Sequence, residues 1–336
     1  MTGDHKKNAV VIGGGSWGCA IAAALVKAGT PAQLLVRSPD TADALARGIC
    51  RQLSDAPVLP PLAASTEDRI LDTADLVFVV LPVSATADCL KGLAGRLAPE
   101  VPVALCAKGL MATADTAGML MPEVAGHLLP DHHAVVFSGP TFADEVASGK
   151  PAAITAASHN PQAATIIQQA FEGSALRVYT SDDPIGVAIG GAMKNVIAIA
   201  AGCAAGLGLG DNARAAIITR GLAEMARFAI ALGANPGTIY GLSGAGDLAL
   251  SCAGPHSRNM AFGLALGAGR TPDPVLAEGR HTVAAMVARG RAAGIELPIT
   301  EAVDKVVNQN HNLQDVVSGL LARRARNESP AMNNRQ

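Results

Sequence analysis

Four short stretches carry side chains whose types and spacing could do chemistry. GGAMKNVIAIAAG, residues 190–202, holds one charged side chain, Lys194, and no other Asp, Glu, Lys or Arg occurs from Pro184 to Gly210. A lone ammonium in such a run is costly to bury unless compensated, and a structural lysine would snorkel to solvent near a helix end. Local pairing is unavailable, so any partner of Lys194 must come from a distant segment. Lys108 follows a fully apolar strand-like run. It either projects into a crevice at the carboxyl edge of a sheet or is an ordinary solvated lysine. PHSRNMAFGLALG puts Ser257, Arg258 and Asn259 at a helix start. Free N–H groups, a forked guanidinium and a neutral donor suit a phosphate; the alternative is a capped helix with a surface arginine. GLSGAGDLALSC places Asp247 inside a glycine-rich turn before an apolar run.

A further stretch forms a loop for a dinucleotide. VVIGGGSWGCAIAAAL sets Gly13-x-Gly15-x-x-Gly18 directly after a strand and at the opening of a helix. The first glycine permits the tight turn, the second lets backbone approach a pyrophosphate, and the third lets helix and sheet pack closely. The helix N-terminus then offers unpaired N–H groups to the anion. At the end of the second strand, LLVRSPD presents Arg37 and Ser38, with Asp40 displaced onto a helix start. An acidic residue there would bind the ribose hydroxyls of NAD, whereas arginine suits a 2′-phosphate. The pattern favours NADP with NAD still possible; an ordinary exposed arginine is the alternative.

The elements that must position these groups fall into two kinds. Strand signals at Ala9–Ile12, Gln33–Val36, Leu76–Leu81, Pro102–Cys106 and Ala134–Phe137 alternate with helical ones at Ala20–Lys27, Ser84–Leu93 and Ala112–Val124. Continuous apolar strands separated by helices indicate a parallel sheet covered on both faces. Ala152–Ala157 and Leu176–Tyr179 add strands around a helix at Pro161–Phe171. After about Asp182 the strand pattern stops, and 184–206, 211–233, 257–267, 279–293 and 299–308 all read as helices. The expected fold is therefore an N-terminal Rossmann-type doubly wound α/β domain, residues 1–182, followed by an all-helical domain, residues 183–336. Thr141 is positioned to cap the short helix TFADEV, and the polar tail Asn327–Gln336 should fray.

Bulk composition narrows the function classes. Of 336 residues, 49% are hydrophobic and 16% charged, so the chain can bury a large core. Aromatics make up only 3% and the net charge is −2, which argues against a nucleic-acid platform but leaves room for a local anion pocket. Six cysteines without a CxxC pair fit reduced thiols in a cytoplasmic protein better than a disulfide framework or zinc ribbon. No HExxH-like pattern accompanies the eight histidines, so no metal is expected. The apolar run near 184–210 is long enough to span a membrane, but its lysine, asparagine and many glycines favour a buried core helix.

Taken in order, GxGSWGxAIA, Lys108-Gly109, SGPTFADEVASGKPAA, GAMKNVIAIAAG, ARAAIITRGLAEM, GLSGAGDL and SRN resemble the bacterial-type NAD(P)-dependent glycerol-3-phosphate dehydrogenases. The resemblance runs from about residue 8 to about residue 320. It implies reversible reduction of dihydroxyacetone phosphate to sn-glycerol 3-phosphate, the backbone for glycerophospholipids, by a cytoplasmic homodimer. It further implies that Lys194 is the catalytic proton donor and acceptor and that Lys108 lies by both cofactor and substrate; on chemical grounds Asp247 would orient the lysine. Gly139, Thr141, Asp247, Ser257, Arg258 and Asn259 match substrate positions. Ser16, Trp17, Arg37, Ala143, Arg258, Leu276 and Glu278 match cofactor positions. Ala107, where the family often has threonine, and small substitutions in GLSGAGDLALSC depart from the pattern without altering a chemical group. A related 2-hydroxy- or 3-hydroxyacid reductase, or a non-catalytic NADP(H) sensor, are the competing readings.

Overall fold

β1 (Ala9–Ile12) leads into α1 (Ser16–Lys27), followed by β2 (Ala32–Leu35) and α2 (Pro39–Ala46) in the computed structural model. The residues described are 7–53, 59–112, 116–254, 256–273 and 277–324. Alternation continues through β3 (Ala63–Ser65), β4 (Leu76–Val79), α3 (Val83–Leu93), β5 (Val103–Leu105) and α4 (Met121–Leu128). β6 (Ala134–Ser138), α5 (Ala143–Ala147), β7 (Ala152–Ala157), α6 (Pro161–Gln169) and β8 (Leu176–Ser181) complete the sheet. Its eight strands run in the order β3-β2-β1-β4-β5-β6-β7-β8. The first six reproduce the doubly wound dinucleotide-binding order, whose switch point lies between β1 and β4. Alternating side chains supply both faces: Val11 and Phe78 pack into one core layer, Val10, Ile12, Val77 and Val79 into the other.

Among the described residues helices alone follow β8: α7 (Pro184–Gly206), α8 (Gly210–Ala231), α9 (Asp247–Cys252), α10 (Arg258–Gly267), α11 (Glu278–Ala292), α12 (Pro298–Val307) and α13 (Leu313–Leu321). Among the described residues α7 is the helix long and apolar enough to cross a membrane, yet 89% of its most apolar window is buried inside the fold. It is the central core helix of the helical part. The Asp183 side chain starts it, accepting hydrogen bonds from Gly186 N at 2.8 Å, Asn235 N at 3.0 Å and Thr238 Oγ1 at 2.7 Å. A Cβ on Gly190 would stand 2.7 Å from the Ser243 carbonyl oxygen, so the absence of a side chain lets the turn before α9 press against α7.

Several local expectations differ from the observed fold. The helix expected over Ala112–Val124 begins only at Met121, and part of that span, 113–115, lies outside the described residues. Gly118 has φ +76 and its N–H donates to Met111 O at 2.9 Å, making a tight return that no helix can cross. Pro122 in the first turn and Glu123, which accepts from Leu120 N at 2.7 Å, are the start signals that matter. The sheet is not wholly parallel: β7 runs antiparallel to β6. The five-residue α5 between them is too short to carry the chain back to the opposite edge. Thr141 does not cap α5, whose N-cap is Phe142; its hydroxyl donates to Gly139 O at 3.3 Å instead. Asp247 sits in the first turn of α9, after a π-helical turn at Leu242–Gly246, and not inside a loop. β3, α9 and α13 were not legible as elements. The tail Asn327–Gln336 lies outside the described residues.

Candidate active site

The glycine loop after β1 has the shape its sequence suggests. Gly13 adopts φ +120, where a Cβ would collide with the Val80 carbonyl, and a Cβ on Gly18 would collide with the Gly13 carbonyl. Gly15 faces open space, with nothing within 4 Å of a Cβ position. Backbone can therefore meet a ligand at the N-terminus of α1. The loop floors a cleft of about 1060 Å³ bordered by Arg37, Ser38, Thr66 and Pro82. That volume lies at the upper end of what small-molecule sites enclose and suits an extended nucleotide. Ser16 Oγ donates to Gln52 O at 3.0 Å, pinning the neighbouring 3₁₀ turn against the loop. The Trp17 indole reaches the Cys106 thiol at the end of β5, and Ala143 opens α5 against the same core layer. Arg37 is exposed at the cleft rim.

Three of the ionisable groups picked out in the sequence meet beyond the carboxyl end of β5. Lys108 Nζ donates to Asp247 Oδ2 at 2.6 Å and to Gly139 O at 3.2 Å. Lys194 Nζ donates to Asp247 Oδ1 at 2.9 Å and to Ser251 Oγ at 2.9 Å. One buried carboxylate thus bridges two ammonium groups, leaving a local excess of positive charge. Each ammonium has three donors and engages two of them, which leaves one apiece for a ligand. Burial holds Lys194 below the usual lysine range, and the Lys108 charge adds to it, while Asp247 and Glu278 oppose the shift. Burial decides the sign of that balance. Burial alone would push the Asp247 carboxyl up, but the two ammonium groups outweigh it and hold it below the ordinary carboxylate range.

Around this cluster the remaining candidates divide. Gly139 supplies its carbonyl to Lys108 directly. Pro140 packs near Gly246, and the Phe142 ring lies 6.1 Å from that of His256, so the Gly139–Phe142 loop borders the start of α10. Ser257 is the N-cap of α10, accepting from Met260 N at 3.4 Å. Arg258 is exposed beside it. Asn259 is turned inward: its Nδ2 donates to Asn195 Oδ1 at 2.9 Å and its Oδ1 accepts from Gly279 N at 3.1 Å. It ties α10 to α7 and α11. Glu278 is half-buried in the first turn of α11, its charge felt by Lys194. Leu276 lies outside the described residues. Among the described residues no three His, Cys, Asp or Glu side chains cluster in a way that could hold a metal ion.

Ser251, Asn195 and Gln52 take part without having been singled out. Ser251 had a readable signal: it follows Asp247 by four residues, which on a helix puts both on one face. Asn195 and Gln52 carried none, since their partners lie 64 and 36 residues away.

Comparison with known proteins bears on both halves. Residues 8–164 match the family model for the N-terminus of NAD-dependent glycerol-3-phosphate dehydrogenase, and residues 183–318 match that for its C-terminus. The chain is 44% identical over 326 residues to a glycerol-3-phosphate dehydrogenase [NAD(P)+] of Methylobacterium radiotolerans, covering 95% of this chain and 97% of that protein. It is 41% identical to the Hyphomonas neptunium protein of the same description, covering 97% and 98%. The crystal structure of glycerol-3-phosphate dehydrogenase from Coxiella burnetii superposes with a TM-score of 0.86 at 34% identity, covering 95% of this chain and 99% of that one.

Proposed function

The chain belongs to the NAD-dependent glycerol-3-phosphate dehydrogenase family, and we propose that it reversibly reduces dihydroxyacetone phosphate to sn-glycerol 3-phosphate with NAD(P)H. The observation that carries this reading is the Lys108–Asp247–Lys194 bridge at the carboxyl edge of a doubly wound sheet. A bound reduced nicotinamide supplies the hydride for the carbonyl carbon. Negative charge then develops on the ketone oxygen, and the free N–H of Lys194 stabilises it and delivers the proton. A lowered lysine pKa suits that exchange near neutral pH better than an ordinary one. Asp247 and Ser251 fix the direction of the Lys194 ammonium, and Lys108 adds a second cation for the phosphorylated substrate. The Ser257–Asn259 helix start, with its free N–H groups and Arg258, is the proposed phosphate end.

Oxidation of NADPH, followed by absorbance with dihydroxyacetone phosphate, tests the reading. The rate should exceed that with ketopantoate or other unphosphorylated oxo acids. Equal or faster turnover of the latter would favour the hydroxyacid-reductase alternative, and binding without turnover would favour the sensor. Arg258→Ala should raise KM for dihydroxyacetone phosphate about tenfold or more, the worth of a charge-assisted hydrogen bond. An equal loss with an unphosphorylated analogue would remove Arg258 from the phosphate end.

NADP is the proposed preferred cofactor, with NAD accepted less well. Support comes from Arg37 at the cleft rim and from Asp40, which lies in α2 and not at the strand end. Arg37→Gln should raise KM for NADPH about tenfold and leave KM for NADH nearly unchanged. Parallel changes in both would sink the preference. We place the boundary between cofactor and substrate domains at Asp182–Asp183. Six free thiols are consistent with a reduced cytoplasmic setting, where the product would feed glycerophospholipid synthesis. Exposed Leu209, Ile230 and Tyr240 on the helical side are candidate contacts of a homodimer.

A further inference from the structure

α11 touches three segments that lie far apart along the chain, and this makes it a strut between the two halves. At its first turn Gly279 N is held by Asn259, and a Cβ on Gly279 would stand 3.0 Å from the Asn195 carbonyl, next to Lys194. One turn on, Thr282 lies against the Lys108–Gly109 turn: a Cβ on Gly109 would stand 2.7 Å from Thr282 Oγ1. Thr282 is buried, so this is a packed contact and not a surface brush. Near the other end, Arg289 forks onto Glu123, with Nη1 to Oε2 and Nη2 to Oε1 both at 2.5 Å. Arg289 Nη1 also donates to Gly118 O at 2.6 Å. Glu123 in turn accepts from Leu120 N, so the clamp is continuous with the start of α4.

Lys108 belongs to the sheet-bearing half, whereas Lys194 and Asp247 belong to the helical half. The 2.6 Å contact between Lys108 and Asp247 holds only while the two halves keep one spacing. The halves also share apolar packing, Leu110, Leu120, Val136 and Ala157 lying in one core with α7; a second ion pair, some distance away along a rigid rod, adds a directional constraint that such packing lacks. Arg289 lies eleven residues beyond Glu278, about 16 Å along the helix axis. The pair is bidentate, and its side chains are 21% and 31% exposed, which favours one geometry over the many of a solvated pair.

We propose that Glu123 and Arg289 are remote positioning residues: by clamping α11 to α4 they set the spacing between the Lys108 turn and the Lys194–Asp247 pair. Neither touches substrate or cofactor. The proposal rests on the dehydrogenase reading of that site. Its test compares wild type with Glu123→Gln and Arg289→Gln, singly and together, with Arg289→Lys as a charge-preserving variant. Steady-state reduction of dihydroxyacetone phosphate would be measured with NADPH and with NADPH deuterated at the transferred position. NADPH affinity would be read by fluorescence and folding by thermal melting.

The expected result is a fall in kcat of about tenfold or more, because small misplacements of reacting groups are expensive. The isotope effect on kcat should rise as the chemical step becomes limiting. NADPH affinity should fall less than kcat, since the glycine-loop cleft is lined by the first half and only the Arg258, Leu276 and Glu278 positions would meet the cofactor from the other half. The double variant should be no worse than either single one, and Arg289→Lys should fall between them and wild type. An unchanged kcat and isotope effect would overturn the proposal. So would losses of kcat, NADPH affinity and thermal stability in one proportion across all variants, including Arg289→Lys. Failure of the wild type to turn over dihydroxyacetone phosphate would instead overturn the reading of the site itself.

Discussion

Replacing Lys194 with methionine should lower kcat for reduction of dihydroxyacetone phosphate about a thousandfold, while NADPH binding changes little. Loss of a positioned general acid removes about two to four decades of rate. Loss of the cation facing the developing oxyanion adds to that. The methionine fills most of the same space, and Asp247 keeps Lys108 as its counter-ion, so the fold should survive. Stopped-flow turnover together with NADPH titration would check both halves; a kcat within tenfold of wild type would end the assignment. The pH profile carries the same argument with a sign. Reduction needs a protonated Lys194, and burial with the neighbouring Lys108 charge holds its pKa below the usual lysine range. The rate should therefore fall with rising pH at a point below the ~10.4 of a free lysine. Lys108→Met removes a cation that lowers the pKa and should move that limb upward, even as it slows the reaction. Movement downward would contradict the arrangement.

Asp247→Asn is the second substitution with a large expected effect, and it acts on stability as well as rate. Asp247 is 2% exposed and accepts from both lysines, so the amide would leave two ammonium groups facing each other without the carboxylate they share, with only the charge of Glu278 acting on Lys194 in its place. Breaking a buried ion pair by removing one partner costs about 3–5 kcal/mol. Chemical denaturation of the variant should show a loss of that order, unless Lys194 sheds its proton. That escape fixes the pH dependence. Without the carboxylate the folded-state pKa of Lys194 falls further below its unfolded value, so the unfolded chain binds more protons and stability rises with pH. The deficit relative to wild type should thus be greater at pH 6 than at pH 9. The rate of ketone reduction should drop about a hundredfold or more, because the lysine is both less protonated and no longer oriented. A variant with normal stability and turnover would show that Asp247 neither pairs with nor directs the lysines.

The same residues mark how far the sequence could be read. The β1–Gly13-x-Gly15-x-x-Gly18–α1 unit, the boundaries of α7 and the Ser257 cap were legible because each depends on neighbours within a turn or two. Strand periodicity, a φ only glycine tolerates, and a hydroxyl that meets a nearby N–H are all short-range rules. Local reading failed at Ala112–Val124, where a left-handed Gly118 breaks a helical pattern, and just ahead of α9, where a glycine-rich stretch winds as a π turn. There the glycines fit packing against Gly190 and Pro140, contacts far away along the chain.

By itself, then, the sequence determined that a dinucleotide loop opens the chain, that a doubly wound sheet precedes helices, and that Lys194 requires a distant partner. Only the tertiary structure decided which partner, how many charges share it, and in which direction the lysine's pKa moves. Lys108 and Lys194 stand 139 and 53 residues from Asp247. Proximity over such separations is set by the whole pattern of burial, as is the desolvation that depresses Lys194, and no local stretch of residues encodes either.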